Sequence, residues 1–260
     1  MSGDPHTPIP APVVAALIDL PGVLAVGLAG SRATGLADEH SDTDLYALHN
    51  DAPPPRHLRA AALGPHADRG LVEHEDAWGE DDRFHRDGRL VEVMYLGLDG
   101  IDLDAFERGD VSPNGYTTAF LFTLARMEPL ADPHGHLARL RQRLATYPEA
   151  TRDRLLDRLP RELPNYLDQL RKAQRRRDWT GVINRRSALQ EAWFDLLFAI
   201  NRHYHPGEKR LLSHLAELPV QPPDAVQRWS EAALAPGDDP GLVDLLTELT
   251  DDLLDLCRNR

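Results

Sequence analysis

The hydrophobic pattern changes partway along the chain, and this change constrains the fold more than any other feature of the sequence. The first half contains short apolar runs with β-branched residues, such as Val23–Leu28 and Arg89–Leu96, which predict buried strands. From about His136 onward the apolar residues recur at helical spacing, and prolines stand near most of the predicted helix ends. We therefore expect an α+β chain, with a β-sheet and helices in residues 1–130 and an all-α helical bundle in residues 131–260.

The individual elements follow from the same patterns. An acidic stretch between two strand candidates, 73–82, is predicted to be a solvated loop. In the first half we predict helices at 12–20 and 56–63, and strands at 23–28, 42–48, 71–75 and 89–96. In the second half we predict helices at 136–146, 161–177, 182–204, 207–218, 223–234 and 241–257.

Acidic residues outnumber basic ones, with 42 Asp and Glu against 29 Lys and Arg, so the formal net charge is −13. This balance repels a phosphate backbone, which argues against a broad nucleic-acid binder and favours a neutral or cationic small partner. The single cysteine, Cys257, excludes an internal disulfide framework and a cysteine-based zinc cluster. No apolar run is long enough for a membrane span, and the N-terminus lacks the basic and apolar regions of a signal peptide. These features predict a soluble cytoplasmic protein.

A Gly-Ser pair and three acidic residues form the pattern with the most chemical meaning. Gly30 and Ser31 follow the first predicted strand, and their small size lets backbone amides and a hydroxyl approach a phosphate. After a spacer of ten residues come Asp42 and Asp44, which alternate along a strand and should lie about 7 Å apart at the backbone. Two carboxylates this close repel each other unless a divalent cation bridges them. Glu92 stands amid an apolar strand, where a carboxylate needs a metal or a reacting proton as its partner.

This pattern resembles the nucleotidyltransferases of the DNA polymerase β superfamily. The wording Gly-Ser-Arg-Ala-Thr-Gly at 30–35 and Ser-Asp-Thr-Asp-Leu at 41–45 is most similar to the bacterial antibiotic (aminoglycoside-type) nucleotidyltransferases and their uncharacterised relatives. The Val-Glu-Val sequence at 91–93 matches their third acid on a later strand. The motifs cover about residues 20–98, and the helical half is similar in architecture only. The resemblance implies a nucleotidyltransferase mixed β-sheet with helices, followed by a helical bundle.

The resemblance also implies a site for a nucleoside triphosphate and metal. Asp42 and Asp44 would hold magnesium, two ions in this family, which grip the triphosphate and stabilise charge at its α-phosphorus. Gly30 and Ser31 would bind the phosphates, and Ser41 would help to seat them. ATP is the expected co-substrate.

The roles of two further residues stay open. The resemblance favours Glu92 as the base that takes the proton of the acceptor hydroxyl, with a third metal ligand and a water-facing acid as the other readings. Lys209, which with Lys172 is one of only two lysines, is predicted to open a helix after Pro206-Gly207. A cation there is unfavourable unless an anion lies near, and related antibiotic nucleotidyltransferases use a helical-domain lysine for the phosphates. Plain surface charge is the alternative.

These observations favour an enzyme that transfers AMP from ATP to a hydroxyl of a small molecule, with an aminoglycoside-like antibiotic as the expected acceptor. The acidic balance suits such a cationic acceptor and disfavours nucleic acid. The alternative is a nucleotidyltransferase toxin or regulator that modifies tRNA or a protein. A third reading, a degenerate fold used only for binding, is opposed by the three intact acids.

Overall fold

The computed structural model describes residues 11–76, 79–110 and 118–258, and the side chains of 72–79 lie outside the description. Over these residues the α+β prediction is confirmed, with a mixed sheet and helices followed by a helical C-terminal region. The strands are β1 (Val23–Leu28), β2 (Thr43–His49), β3 (Arg69–Asp76), β4 (Gly79–Arg86), β5 (Arg89–Gly97) and β6 (Glu128–Ala131). The helices are α1 (Ala11–Ile18), α2 (Gly30–Ala33), α3 (Arg56–Leu63), α4 (Leu103–Glu107), α5 (Ala119–Arg126), α6 (His136–Arg143), α7 (Glu149–Arg175), α8 (Trp179–Ile200), α9 (Leu211–Ala216), α10 (Ala225–Leu234) and α11 (Leu242–Arg258).

The described chain divides into two compact units, which alternate along the sequence. The sheet unit runs to Asp102 and resumes over Thr123–Thr146, and the helical unit comprises Leu103–Phe122 and the chain from Tyr147 onward. The backbone therefore passes between units at three points, whereas the sequence suggests one domain boundary after residue 130. The division into a domain of residues 1–130 and a domain of residues 131–260 stays a prediction.

The sheet unit is built on a sheet with the order β3-β4-β5-β2-β1-β6. The central pair, β2 and β5, is parallel, and the neighbouring pairs are antiparallel. Helices α1 and α3 pack on one face over an apolar core. The core residues include Val13, Leu17, Val26, Leu45, Leu63 and Val93, all essentially buried. The parallel pair places Asp44 directly beside Glu92, which positions the site described below.

Over its described residues, 73–76 and 79–82, the acidic stretch is β-strand, so the prediction of a loop is wrong. Strands β3 and β4 cross it as an antiparallel pair, and β4 continues the sheet onto β5. Period-two alternation sends Asp82 into the covered face, where the Tyr95 hydroxyl donates a 2.7 Å hydrogen bond to Asp82 Oδ2. The Arg59 side chain also lies at this carboxylate. Because both partners come from other elements, the charged sequence of β4 alone gave a loop signal.

The helical unit departs from prediction at proline. The helix predicted at 161–177 begins just after Pro160, yet α7 begins at Glu149 and runs through both Pro160 and Pro164. Leucines at helical spacing, Leu155, Leu159, Leu163, Leu167 and Leu170, are buried along this helix, which packs on α8. Their combined burial outweighs the roughly 3 kcal/mol that an interior proline costs a helix.

The core of the helical unit is centred on α8, whose residues 192–200 are all buried. Trp193 Nε1 donates a hydrogen bond to the Leu249 carbonyl of α11, so the indole is satisfied inside the core. The short strand β6 had no recognisable signal in four residues. Among the described helices, none is long and apolar enough to cross a membrane.

Candidate active site

The three acids singled out by sequence come together at the parallel β2–β5 pair. Asp42 immediately precedes β2, Asp44 is its second residue, and Glu92 is the register partner of Asp44 on β5. One carboxylate oxygen from each residue lies within 4.8 Å of the others, and all three side chains are half-buried. Such an arrangement of oxygen donors suits a hard divalent cation.

The Gly-Ser turn packs directly against this acidic cluster. Strand β1 ends at Leu28, and the Ala29 amide donates a 2.9 Å hydrogen bond to the Asp44 carbonyl. Gly30 has φ +64°, and a Cβ atom there would overlap the Asp44 carboxylate. Glycine is therefore required for both the backbone conformation and the close approach. Ser31 lies in the short helix α2, half-buried beside this contact.

The loop between α2 and β2 is closed by an arginine that the sequence analysis left without a role. Arg32 Nε donates a 2.8 Å hydrogen bond to the Asp42 carbonyl, and its Nη2 donates to the Ser41 carbonyl at 3.3 Å. Burial and the nearby Arg89 lower the pKa of Arg32, while Asp42 and Asp44 act in the opposite direction. Arg32 thus brings a positive charge to the acids and holds the backbone that carries them.

Ser41 is engaged within the same loop. Its hydroxyl donates to Asp38 Oδ1 at 3.0 Å and accepts a hydrogen bond from the Asp38 amide at 2.9 Å. These local bonds shape the approach to β2, and the role of Ser41 in seating phosphates stays a prediction.

A second arginine, Arg83 on β4, contacts the third acid. Arg83 is the antiparallel register partner of Glu92, and its Nε lies 3.1 Å from Glu92 Oε1. Its Nε and Nη2 also lie 2.9 and 2.7 Å from Asp81 Oδ2. Asp44, Glu92 and Arg83 therefore form one cross-strand row. Sequence reasoning missed Arg83 because β4 was read as loop at its start; the Asp81-x-Arg83 alternation was the available signal.

Tyr46 lies beyond Asp44 on the same face of β2. Burial, and then the charges of Asp44 and Glu92, raise the pKa of Tyr46 to about 12. Its phenol is therefore neutral at physiological pH. The register partner of Tyr46 is Gly27, where a Cβ atom would overlap Met127, so this side of the cluster is closed by packing.

Lys209 does not open a helix, and that prediction is wrong. Gly207 and Arg210 have φ values of +92° and +54°, so the chain cannot enter a helix before Leu211. Lys209 instead lies exposed in the preceding turn of the helical unit. Its role in nucleotide binding stays a prediction.

Comparisons with known proteins give one family model and similarity to solved structures. A family described as a domain of unknown function (DUF4037) matches residues 116–211, less than half of the chain. A search of curated proteins finds no match. The chain is similar in structure to a nucleotidyltransferase-like protein from Exiguobacterium sibiricum 255-15, at 11% identity and a TM-score of 0.44, over 92% of this chain and 70% of that chain. The function proposed below rests on the acidic cluster.

Proposed function

We propose that this chain is a metal-dependent nucleotidyltransferase that transfers AMP from ATP to a hydroxyl of a small molecule. The observation that carries the proposal is the convergence of Asp42, Asp44 and Glu92, with oxygens within 4.8 Å, beside a Gly-Ser turn. The order of these motifs is the one that the superfamily resemblance requires. The group transferred is proposed from the resemblance, and the acceptor from the resemblance and the acidic balance of the chain.

The residues fit magnesium as the resident metal. Asp42 and Asp44 would hold it, with Glu92 close enough to join them, and carboxylate oxygens are the donors that magnesium prefers. When bound, the ions would neutralise triphosphate charge and stabilise the charge that develops at the α-phosphorus. Three half-buried carboxylates repel each other, so a cation with bound phosphate oxygens offsets that repulsion.

The phosphates would lie along the Gly-Ser turn. Gly30 presents backbone without a side chain there, and Ser31 supplies a hydroxyl for the β- and γ-phosphates. Arg32 adds a fixed positive charge to the same loop. Lys209, from the helical unit, is the further cation proposed for the triphosphate.

The proposed transfer is a nucleophilic substitution at the α-phosphorus of the triphosphate. The acceptor hydroxyl oxygen forms a bond to the α-phosphorus, the bond to the bridging oxygen breaks, and pyrophosphate leaves. Glu92 takes the hydroxyl proton in the preferred reading. Tyr46 is a poor alternative base, since its raised pKa keeps it protonated.

The acidic surface supports a neutral or cationic acceptor over nucleic acid. With a net charge of −13, the protein would attract a polyamine-like or aminoglycoside-like molecule and repel a polyanion. A tRNA- or protein-modifying enzyme is the second candidate, and the proposed site chemistry would be the same.

The test is incubation with each labelled nucleoside triphosphate, magnesium and panels of aminoglycosides, tRNA and protein, with products identified by mass spectrometry. We expect AMP on a small-molecule hydroxyl and release of pyrophosphate. Asp42→Asn and Asp44→Asn should abolish transfer without unfolding the protein. Asp87→Asn, in an exposed turn with φ +51°, is the matched control, because asparagine tolerates that conformation. Near wild-type turnover in either cluster variant would contradict the mechanism.

A further inference from the structure

Glu92 has a cationic neighbour of its own across the strand pair. Arg83 Nε lies 3.1 Å from Glu92 Oε1, and the two side chains are 38% and 19% exposed. The antiparallel register of β4 and β5 places them opposite each other, so the pair is built into the sheet. The position of Arg83 is thus set by backbone pairing as well as by charge.

Asp81 braces the guanidinium from its own strand. Arg83 Nη2 lies 2.7 Å from Asp81 Oδ2, and Asp81 is itself 8% exposed. Asp81 and Arg83 alternate on β4 and therefore face the same side of the sheet. The guanidinium is shared between a nearly buried carboxylate and the half-buried Glu92.

This arrangement affects any cation that uses Glu92. A divalent ion bound to the Glu92 carboxylate would lie close to the Arg83 guanidinium, and the two positive charges would repel each other. The ion would also have to compete for an oxygen that already has an ionic partner. Arg32 is a further guanidinium whose charge acts on the cluster, through Asp42 and Asp44.

We propose that Arg83 is the internal counter-ion of Glu92 within the acidic cluster, and that a metal ion gains Glu92 as a ligand only by displacing Arg83. The inference rests on the proposed function for its assignment of a metal to these acids. In the metal-free protein Arg83 offsets the repulsion among the carboxylates. It thereby weakens metal binding to the cluster when no phosphate oxygens are present to help hold the ion.

The experiment is a calorimetric titration of the full chain with Mn²⁺ alone. Neither nucleotide nor acceptor is present. Arg83→Gln should tighten Mn²⁺ binding about tenfold at low salt, the scale of one close charge in a water-exposed setting. Arg83→Lys keeps the charge and should stay within about threefold of wild type. Arg86→Gln removes a charge from the same strand, where Arg86 donates to the His66 carbonyl, and should change nothing.

Glu92→Gln tests whether Arg83 and Mn²⁺ compete directly for the Glu92 carboxylate, or whether the charge of Arg83 acts on the metal ion in general. In that background, adding Arg83→Gln should give no further gain, because the carboxylate over which the two cations compete is absent. Thermal unfolding without metal checks that each variant is folded. Arg83→Met, which keeps most of the side-chain bulk, is a second neutral variant should Arg83→Gln fail to fold.

Four outcomes would overturn the inference: unchanged or weaker binding in the neutral Arg83 variants, an equal gain in Arg86→Gln, a gain that persists with Glu92→Gln, or no Mn²⁺ binding in any variant. Nucleotide binding is measured in a separate titration of the same protein with magnesium and a non-hydrolysable ATP analogue. If the predicted Mn²⁺ pattern holds but no nucleotide binds, the proposed function is overturned and Arg83 remains the counter-ion of a metal site. The two failures are therefore distinguishable.

Discussion

Strand β4 carries an ion pair to each face of the sheet, and the two pairs differ in their surroundings. On the face covered by α1 and α3, Arg59 Nε lies 3.5 Å from Asp82 Oδ2, and both side chains are 0% exposed. The Tyr95 hydroxyl bonds the same carboxylate, and the Arg59 guanidinium lies 4.5 Å from the Tyr95 ring centroid. On the other face, Arg83 and Glu92 form a pair of similar length that is partly open to water.

The difference separates a structural pair from one that can exchange partners. A sealed pair has no water to replace a lost partner, so removal of Arg59 leaves the Asp82 charge uncompensated in the core, whereas Arg59 has a second carboxylate partner in Glu80 at 2.8 Å. A half-exposed pair is screened, and its members can turn to a metal ion or a phosphate at small cost. The covered face thus stabilises the fold, while the open face keeps its charges available for chemistry.

The sealed pair gives the largest predicted effect on stability. Arg59→Ala should lower the free energy of unfolding by about 3–5 kcal/mol, because Asp82 is left buried with its charge unpaired. Arg56→Ala is the matched control on the same helix, since Arg56 is 49% exposed and lies 3.7 Å from Glu80. It should cost less than about 1 kcal/mol. Equal losses in the two variants, measured by urea denaturation, would remove the distinction between the faces.

On the open face, the position with the least space for a side chain beside the acidic cluster is Gly30. In Gly30→Ala the new methyl group overlaps the Asp44 carboxylate and must displace it. We expect turnover to fall about a hundredfold, the scale of an ångström-level misplacement of a reacting group. Gly35→Ala is the control, because Gly35 also has positive φ, at +75°, but no heavy atom lies within 4 Å of its Cβ position. If both variants lost turnover equally, backbone strain and not the contact with Asp44 would explain the result.

The same contrast explains which features could be predicted from sequence. The Gly-Ser turn and the three acids were recognisable because their chemistry depends on order and spacing along the chain. Asp82 and Arg83 were missed because their partners lie on other elements: Arg59 and Tyr95 for Asp82, and Glu92 for Arg83. The Asp81-x-Arg83 alternation alone indicated a strand but no partner. Charged residues in a strand look like a loop until those partners are known.

Some predicted helix boundaries were wrong for a related reason. The continuity of α7 through Pro160 depends on leucine burial against α8, which is a tertiary effect. The late start of α9 depends on the left-handed conformation of Arg210, a residue type that gives no such signal. Periodicity therefore located these helices but could not fix where they break or begin.

The helical unit contains a sealed polar group of its own, His205. Its ring is buried, and its Nδ1 accepts a hydrogen bond from the Gly207 amide at 3.0 Å. Burial, and then the nearby His214, lower the pKa of His205 from 6.5 to about 3. As the pH falls, the unfolded chain therefore binds a proton near pH 6.5, whereas the folded protein binds it only near pH 3. The free energy of unfolding consequently decreases as the pH falls from about 6.5 towards 3.

From His205 alone, we expect the free energy of unfolding to fall by about 1.4 kcal/mol for each pH unit of acidification, once the pH is well below 6.5. His205→Gln should lower stability at neutral pH but flatten the dependence, since glutamine does not titrate. His203→Gln, at an exposed position in the same turn, should leave the slope unchanged. A slope that is the same in His205→Gln and wild type, from denaturation at pH 4 to 7, would assign the acid sensitivity to other groups.

The smallest predicted effect concerns Lys209, an exposed charge. Lys209→Ala should raise the KM for nucleotide roughly fivefold, about 1 kcal/mol, and leave the acceptor KM nearly unchanged. Lys172→Ala is the natural control, because the other lysine is paired with Asp168 within α7. An unchanged nucleotide KM in Lys209→Ala would leave this residue as surface charge.

We propose that Asp42 and Asp44 form a metal-dependent nucleotide site on the open face of the sheet. Calorimetric titration with a non-hydrolysable ATP analogue, with and without magnesium, tests it without knowledge of the acceptor. We predict that binding requires magnesium in the wild-type protein and in Asp87→Asn, and that Asp44→Asn abolishes it. Binding of equal strength without magnesium, or retained in Asp44→Asn, would contradict the account.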